Sequence, residues 1–189
     1  MSPRSMSPDW NALYETASGQ AGHFTTAQAA AAGYSPQLLA KHLKATRIRR
    51  IRRGVYRIVH YPAGDHEDLV VLWLWSGRAG VLSHETALSL HELSDALPTM
   101  VHMTVPRSWR RRRLRVPDGL VLHYADVADG ERWWVGPVPV TGPAHTLRDC
   151  VAAAVPPDLV RQALDDALDR GLVTRPGIRS VHRYLEMDA

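Results

Sequence analysis

Residues 24–61, FTTAQAAAAGYSPQLLAKHLKATRIRRIRRGVYRIVHY, constrain the fold more than any other part of the chain. Two short helix-forming segments flank Gly33-Tyr34-Ser35, and two β-patterned, arginine-rich segments follow with Gly54 at their turn. Local signals mark each boundary. Thr25 and Gln28 have the spacing of a capping box, with Phe24 where a hydrophobic staple sits. Gly33 suits a left-handed C-cap. Ser35 is placed to cap the next helix, with Pro36 in its first turn. Upstream, Trp10, Leu13, Tyr14 and Ala17 repeat at helical spacing, and Gly19 to Gly22 ends that segment. The Ser/Pro-rich residues 1–8 are expected to be disordered. Helix, tight turn, helix and basic hairpin is the order of a winged helix-turn-helix, which lays one helix in a DNA groove and a ribbon on the phosphates.

The third helix sorts into two faces. Leu38, Leu39, His42 and Leu43 are expected to pack inward, whereas Gln37, Ala40, Lys41 and Lys44 point away. A long amide and two ammonium groups fit base edges in the major groove, where Gln pairs with adenine and Lys with guanine. A plain solvated helix face accounts for that pattern equally well. The ribbon decides between them. Ile48–Ile51 and Val55–Ile58 read as two strands around Gly54, whose backbone freedom a tight hairpin needs. Arg47, Arg49, Arg50, Arg52, Arg53 and Arg57 fall within eleven residues without one acid. Such a run repels itself in water but releases counterions when it meets phosphates. Thr26 and Ser35, at the starts of two helices, complete the DNA-facing candidates in this part.

Charge supports the division. The net charge is +4. Residues 1–62 carry nine Lys/Arg against two Asp/Glu, and residues 63–189 fourteen against seventeen. One part is therefore suited to a polyanion and the other to different work. Both lysines, Lys41 and Lys44, lie in the basic part, which excludes a Walker A loop and lysine-dependent nuclease sites beyond them. Leu69–Trp75 is the longest apolar run and is far shorter than the ~20 residues that cross a bilayer. With no signal-peptide core at the N-terminus and one cysteine, a cytoplasmic protein without membrane association is expected.

Beyond Pro62 the texture changes, and a domain boundary is expected near residues 60–65. Asp65 is read as the cap of a buried helix ending at Gly77, and Ser83 as the cap of another running to about Leu93. Val101–Val105, Leu120–Tyr124 and Val138–Thr141 alternate as strands. Helices are expected from Pro143 to Ala153, from Asp158 to Arg170 and, shorter, around Ile178, Val181 and Leu185. His84 and His91 hint at metal, but their spacing is not a zincin motif, so a helix cap plus a packed or exposed histidine is expected. Cys150, near Asp149 and His145, falls on an apolar stripe and reads as core. Asp165, Asp166 and Asp169 read as a solvated face. No catalytic residue, metal or cofactor is expected, and the chain is read as a non-enzyme. Arg110, Arg111, Arg112 and Arg113, within the run Arg107–Arg115, fit three roles: a second phosphate clamp, a dock for an acidic partner, or a solvated loop.

The segments FTTAQAAAAGYS, IRRIRRGVYRI, LSHETALSLHELSD, VHMTVPRS, GPVPVTGPAHTLRDC and ALDDALDRGLV, in that order, resemble the AbiEi family, antitoxins of type IV toxin–antitoxin systems. The resemblance implies a winged-helix domain over residues 1–62 and a mixed α+β antitoxin domain over residues 63–189. It also implies repression of the protein's own operon through inverted repeats in double-stranded DNA, and neutralisation of a nucleotidyltransferase-like toxin. A nuclease-like domain that relatives sometimes carry is not expected after the ALDDALDRGLV segment. A stand-alone winged-helix regulator, or a protein-interaction module without a toxin, is the alternative.

Overall fold

In the computed structural model, which describes residues 7–95 and 97–186, the chain divides into two compact units, Met1–Arg78 and Ala79–Ala189. Residues 1–6 of the stretch expected to be disordered lie outside the described residues. Helices and two separate sheets make the fold mixed α+β.

The first unit starts with α1 (Trp10–Ser18), capped by Asp9, whose Oδ1 accepts the Ala12 N–H at 3.0 Å. A three-residue strand β1 (His23–Thr25) leads into α2 (Thr26–Ala31). The capping box forms in both directions: Thr25 Oγ1 accepts the Gln28 N–H at 3.2 Å, and Gln28 Oε1 accepts the Thr25 N–H at 2.8 Å. Gly33 takes the left-handed conformation, and Ser35 Oγ accepts the Leu38 N–H to open α3 (Pro36–Lys44). Strands β2 (Ile48–Arg52) and β3 (Val55–Ile58) close on Gly54, with a bulge between Arg50 and Arg52. The sheet order is β1-β3-β2. Strand β1 was not anticipated, since three residues carry no readable alternation and it exists only through its pairing with β3. Leu13, Ala17, Phe24, Ala29, Tyr34, Leu39, Ile48 and Ile58 form the core.

The helix α4 (Glu67–Trp75) belongs to this first unit, where it packs on β1 and β3. The boundary read near residues 60–65 falls before it, because Pro62-Ala63-Gly64 looks like a linker while the bonds that retain α4 come from Arg57. Asp65 does not cap it either. The capping position is His66, in the left-handed region and without a side-chain cap, and Glu67 Oε1 instead accepts the Gly64 N–H at 3.0 Å. Leu69 to Leu74 are all buried, as an all-round apolar helix should be.

The second unit is a five-stranded mixed sheet in the order β6-β5-β4-β8-β7 with helices. Its strands are β4 (Val81–Leu82), β5 (Val101–Val105), β6 (Leu120–Tyr124), β7 (Arg132–Val135) and β8 (Val138–Thr141). Its helices are α5 (His84–Leu90), α6 (Pro143–Ala152), α7 (Pro157–Asp169) and α8 (Arg179–Glu186). Strands β4 and β7 were not read in the sequence. The former has two residues, and the latter, Arg-Trp-Trp-Val, is an exposed edge without alternation. Leu88, Leu93, Leu147, Cys150, Val160, Leu164, Ile178 and Val181 build the helical core. Arg170 Nη1 donates to the carbonyls of His91 and Glu92, satisfying the end of α5 from the end of α7. Among the described residues no helix is long and apolar enough to cross a membrane.

One close approach is testable. Gly22 has φ +78°, and a Cβ there would lie 2.5 Å from the Tyr61 ring. Tyr61 in turn donates its hydroxyl to the Ser18 carbonyl. Gly22→Ala combines left-handed strain with overpacking, so a loss of about 2–4 kcal/mol is expected in denaturant unfolding.

Candidate nucleic-acid interface

Helix α3 sorts as its spacing requires. Leu39 is buried, Leu38, His42 and Leu43 are half-buried, and Gln37, Ala40, Lys41 and Lys44 are exposed. The His42 ring lies between Trp10 (6.0 Å, near-parallel) and Tyr34 (5.5 Å, edge-on), which fixes which side of α3 turns inward. Burial and the nearby cations Arg47 and Lys41 lower the His42 pKa, so it stays neutral as a packing residue. Ser35 is committed to its cap. Thr26 is exposed beside the hairpin turn, where its backbone N–H donates to the Gly54 carbonyl at 3.0 Å.

The hairpin arginines separate into two kinds. Arg47, Arg49, Arg50 and Arg53 are exposed and Arg52 is half-buried. Arg49 stands opposite Arg57 and Arg50 opposite Tyr56, so the pleat sends their side chains to opposite faces. Arg57 is the exception. It is only 5% exposed, and each of its three guanidinium nitrogens donates within the unit. Nε donates to Glu67 Oε2 (3.1 Å) and Nη2 to Glu67 Oε1 (2.7 Å), while the carbonyls of Ile58, Tyr61 and Pro62 accept the rest. Arg57 therefore leaves the set of phosphate-contacting candidates. It sits on the central strand, where its alternate position faces α4, and counting arginines along the chain cannot separate it from its neighbours.

These residues lie in a segment with known counterparts. Residues 11–59 match the family model described as transcriptional regulator, AbiEi antitoxin. The N-terminal segment is AbiEi-like. The match supports a general antitoxin-regulator role. Over 95% of this chain and 74% of the other, the fold is similar to the crystal structure of the RV2827C protein from Mycobacterium tuberculosis, with a TM-score of 0.53 and 16% identity. At that identity the likeness concerns the fold alone. No curated protein sequence matches the chain.

Outside the AbiEi-matched segment, the second basic run is a 3₁₀ turn over Arg107–Arg111 continuing into extended chain. Arg110, Arg111, Arg112, Arg113 and Arg115 are exposed. The Arg112 guanidinium lies 4.4 Å over the Trp109 ring and that of Arg110 lies 5.8 Å from the Tyr124 ring, so two of the five are held by aromatic faces.

Other polar residues of the second unit fall into place. Cys150 is fully buried among apolar side chains, and burial, with Asp149 and Glu85 nearby, pushes its thiol pKa far up, which is the state of a core residue rather than a nucleophile. Asp165 and Asp169 are exposed and Asp166 is half-buried. His91 is packed, with Nε2 2.7 Å from the Thr141 carbonyl, and its pKa is lowered by burial. Ser83 stands at the capping position of α5, but its hydroxyl bonds no helix N–H. It accepts from Thr104 Oγ1 at 2.8 Å and lies 2.9 Å from His84 Nδ1.

Sequence reasoning missed what this arrangement assembles. His84, at the start of α5, is stacked on His123 of β6 with ring centroids 3.5 Å apart, and His102 Nδ1 of β5 lies 3.0 Å from His123 Nε2. Burial, reinforced by the neighbouring histidines, lowers the pKa of His84 to about 3. Burial together with His102 brings that of His123 to about 4. All three imidazoles are neutral at pH 7. The readable signal was one histidine in each of two adjacent strands, but only the parallel register of β5 and β6 brings them together.

The Arg57–Glu67 pair has a pH signature. Burial pushes the Glu67 pKa up, but the hydrogen bonds from Arg57 and the Gly64 N–H outweigh it and hold it below the ordinary 4.5. The unfolded chain then takes up the proton first on acidification. The pair's stabilisation is complete above about pH 4.5 and is lost as pH falls through the lower folded value. Arg57→Ala is expected to cost about 1–3 kcal/mol, because the Glu67 carboxylate it leaves behind is partly exposed. Glu67→Gln should remove this part of the acid dependence in urea titrations at pH 3 to about 6.

Proposed function

We propose that this chain is a double-stranded-DNA-binding transcriptional regulator that acts as an antitoxin, with residues 10–58 working as a winged helix-turn-helix. The observation that carries this reading is the exposed basic surface of the first unit: Gln37, Lys41 and Lys44 on one face of α3, and Arg47, Arg49, Arg50 and Arg53 on the hairpin. The element order α1-β1-α2-α3-β2-β3, with β1 completing the hairpin sheet, is the order such a module requires. Helix α3 reads base edges through Gln37, Lys41 and Lys44. Arg50 and Arg53 grip phosphates, Arg47, Arg49 and Arg52 add to the local field, and Arg57 holds the ribbon to α4.

The operator is an inverted repeat near the protein's own gene, which the regulator represses, and the counteracted toxin is of the nucleotidyltransferase type. The AbiEi match supports the antitoxin part of this reading. The chain does this without catalytic chemistry and in the cytoplasm.

Operator titrations at several salt concentrations test the wing. Each of Arg50→Ala and Arg53→Ala should lower the log–log salt slope by about 0.9 while the circular dichroism spectrum is unchanged. Unaltered slopes would refute phosphate contact by the ribbon. Neutralising Arg110, Arg111, Arg112 and Arg113 together is read in the same titration and decides whether the second run also meets DNA.

The reading helix has a different signature. Gln37→Ala and Lys41→Ala should each erode the preference for operator over random DNA by about 1–3 kcal/mol, with non-specific binding by the Gln37 variant unchanged. Equal loss on both DNAs would mean that α3 contacts only the backbone.

A further inference from the structure

We propose that His84, His102 and His123 form a binding site for one divalent transition-metal ion of the zinc class, a role separate from DNA recognition. One ring nitrogen from each lies within 4.8 Å of the others. Zinc–imidazole bonds of about 2.0–2.1 Å place tetrahedral ligand nitrogens about 3.3 Å apart, a separation within reach of the three rings, although His84 must tilt off its stacked contact with His123 for their lone pairs to converge on one ion.

The hydrogen-bonding pattern already assigns the nitrogens. Ser83 Oγ lies 2.9 Å from His84 Nδ1, leaving Nε2 as that ring's free nitrogen. Glu85 Oε2 lies 3.6 Å from His102 Nε2. The other nitrogen of that ring, Nδ1, is the one 3.0 Å from His123 Nε2. A carboxylate behind a ligating histidine is the usual outer partner of a zinc-bound imidazole, because it fixes the tautomer and raises ligand basicity. Asp149 Oδ2, buried and without a hydrogen-bond partner, lies 3.9 Å from His84 Nδ1.

Packing alone does not account for the trio. In the parallel register of β5 and β6, His102 stands opposite Val121 and His123 opposite Thr104, so both imidazoles lie on one face of the sheet. Apolar side chains would fill that layer without bringing polar nitrogens that need partners. His84 also has φ +54°, a costly conformation for a non-glycine residue, and the surrounding contacts over-determine it. The Ser83 N–H donates to the His102 carbonyl and the His102 N–H to Thr86 Oγ1, so the segment Ser83–Thr86 is tied to β5 at both ends. The site is also accessible. His102 and His123 are half-buried, and β6 is an edge strand, so an ion can enter without unfolding the sheet. Imidazole donors select zinc, copper or nickel over magnesium and calcium.

The test is isothermal titration of zinc chloride into the chelator-treated full-length protein, with magnesium chloride as the contrasting ion. One saturable zinc per chain is expected, no magnesium uptake, and loss of zinc uptake in the His102→Ala/His123→Ala double variant. An absence of saturable zinc binding, or unchanged binding by the folded double variant, would overturn the site. Long-range proton–nitrogen spectra of the wild-type imidazoles give an answer even if the double variant does not fold. Zinc should shift the ring nitrogens of His84, His102 and His123, and shifts confined to other histidines, such as His145 or His182, would reject the assignment.

Discussion

Strand β3 lies between β1 and β2, and its two faces decide what the first unit is made of. Tyr56 and Ile58 turn to the helical core, where Tyr56 stacks on Phe24 at 5.7 Å. The alternate positions, Val55 and Arg57, lie on the other face and are buried. A guanidinium in that layer is tolerable only if its nitrogens find hydrogen-bond partners, and Glu67 with three backbone carbonyls provides them. The same bonds retain α4 and shape the turn at Tyr61–Gly64. The ribbon that carries the exposed arginines is thus anchored by an arginine that is not exposed.

The consequence for function is a division of labour within one charge cluster. Arginines on the edge strand and at the turn keep their heads in water, where long stems and weak hydration suit them to phosphate. The one on the central strand cannot reach solvent. Helix α3 is sorted by the same logic: the His42 ring, held between Trp10 and Tyr34, turns Gln37, Lys41 and Lys44 outward. In the second unit a comparable tie, Ser83 through Thr86 against β5, brings polar side chains under α5, and the three imidazoles meet there.

Much of the first unit was legible because its signals are local. A capping box, a left-handed glycine, a Ser-Pro helix start and a Gly-centred hairpin each act within a few residues, so their chemistry is written contiguously. The long helices of the second unit were legible for the same reason, since Val160, Leu164 and Ala167 mark a buried stripe by spacing alone. Short strands β1, β4 and β7 were not, because two to four residues gain strand identity from a partner distant in sequence. Nor was the placement of α4, because Pro62-Ala63-Gly64 has the composition of a linker whatever packs across it.

The sequence by itself determined the helix starts and stops, the hairpin, the inward and outward faces of α3 and the concentration of positive charge before Pro62. These follow from backbone propensities and from periods of two and 3.6 residues, which act over one or two turns. Only the tertiary structure decided which arginine is withdrawn from the basic surface and which histidines become neighbours. Both depend on strand register, the sum of many distant pairings, and a shift of one residue would exchange the faces. His102 and His123, separated by twenty residues of chain, share a face for that reason alone.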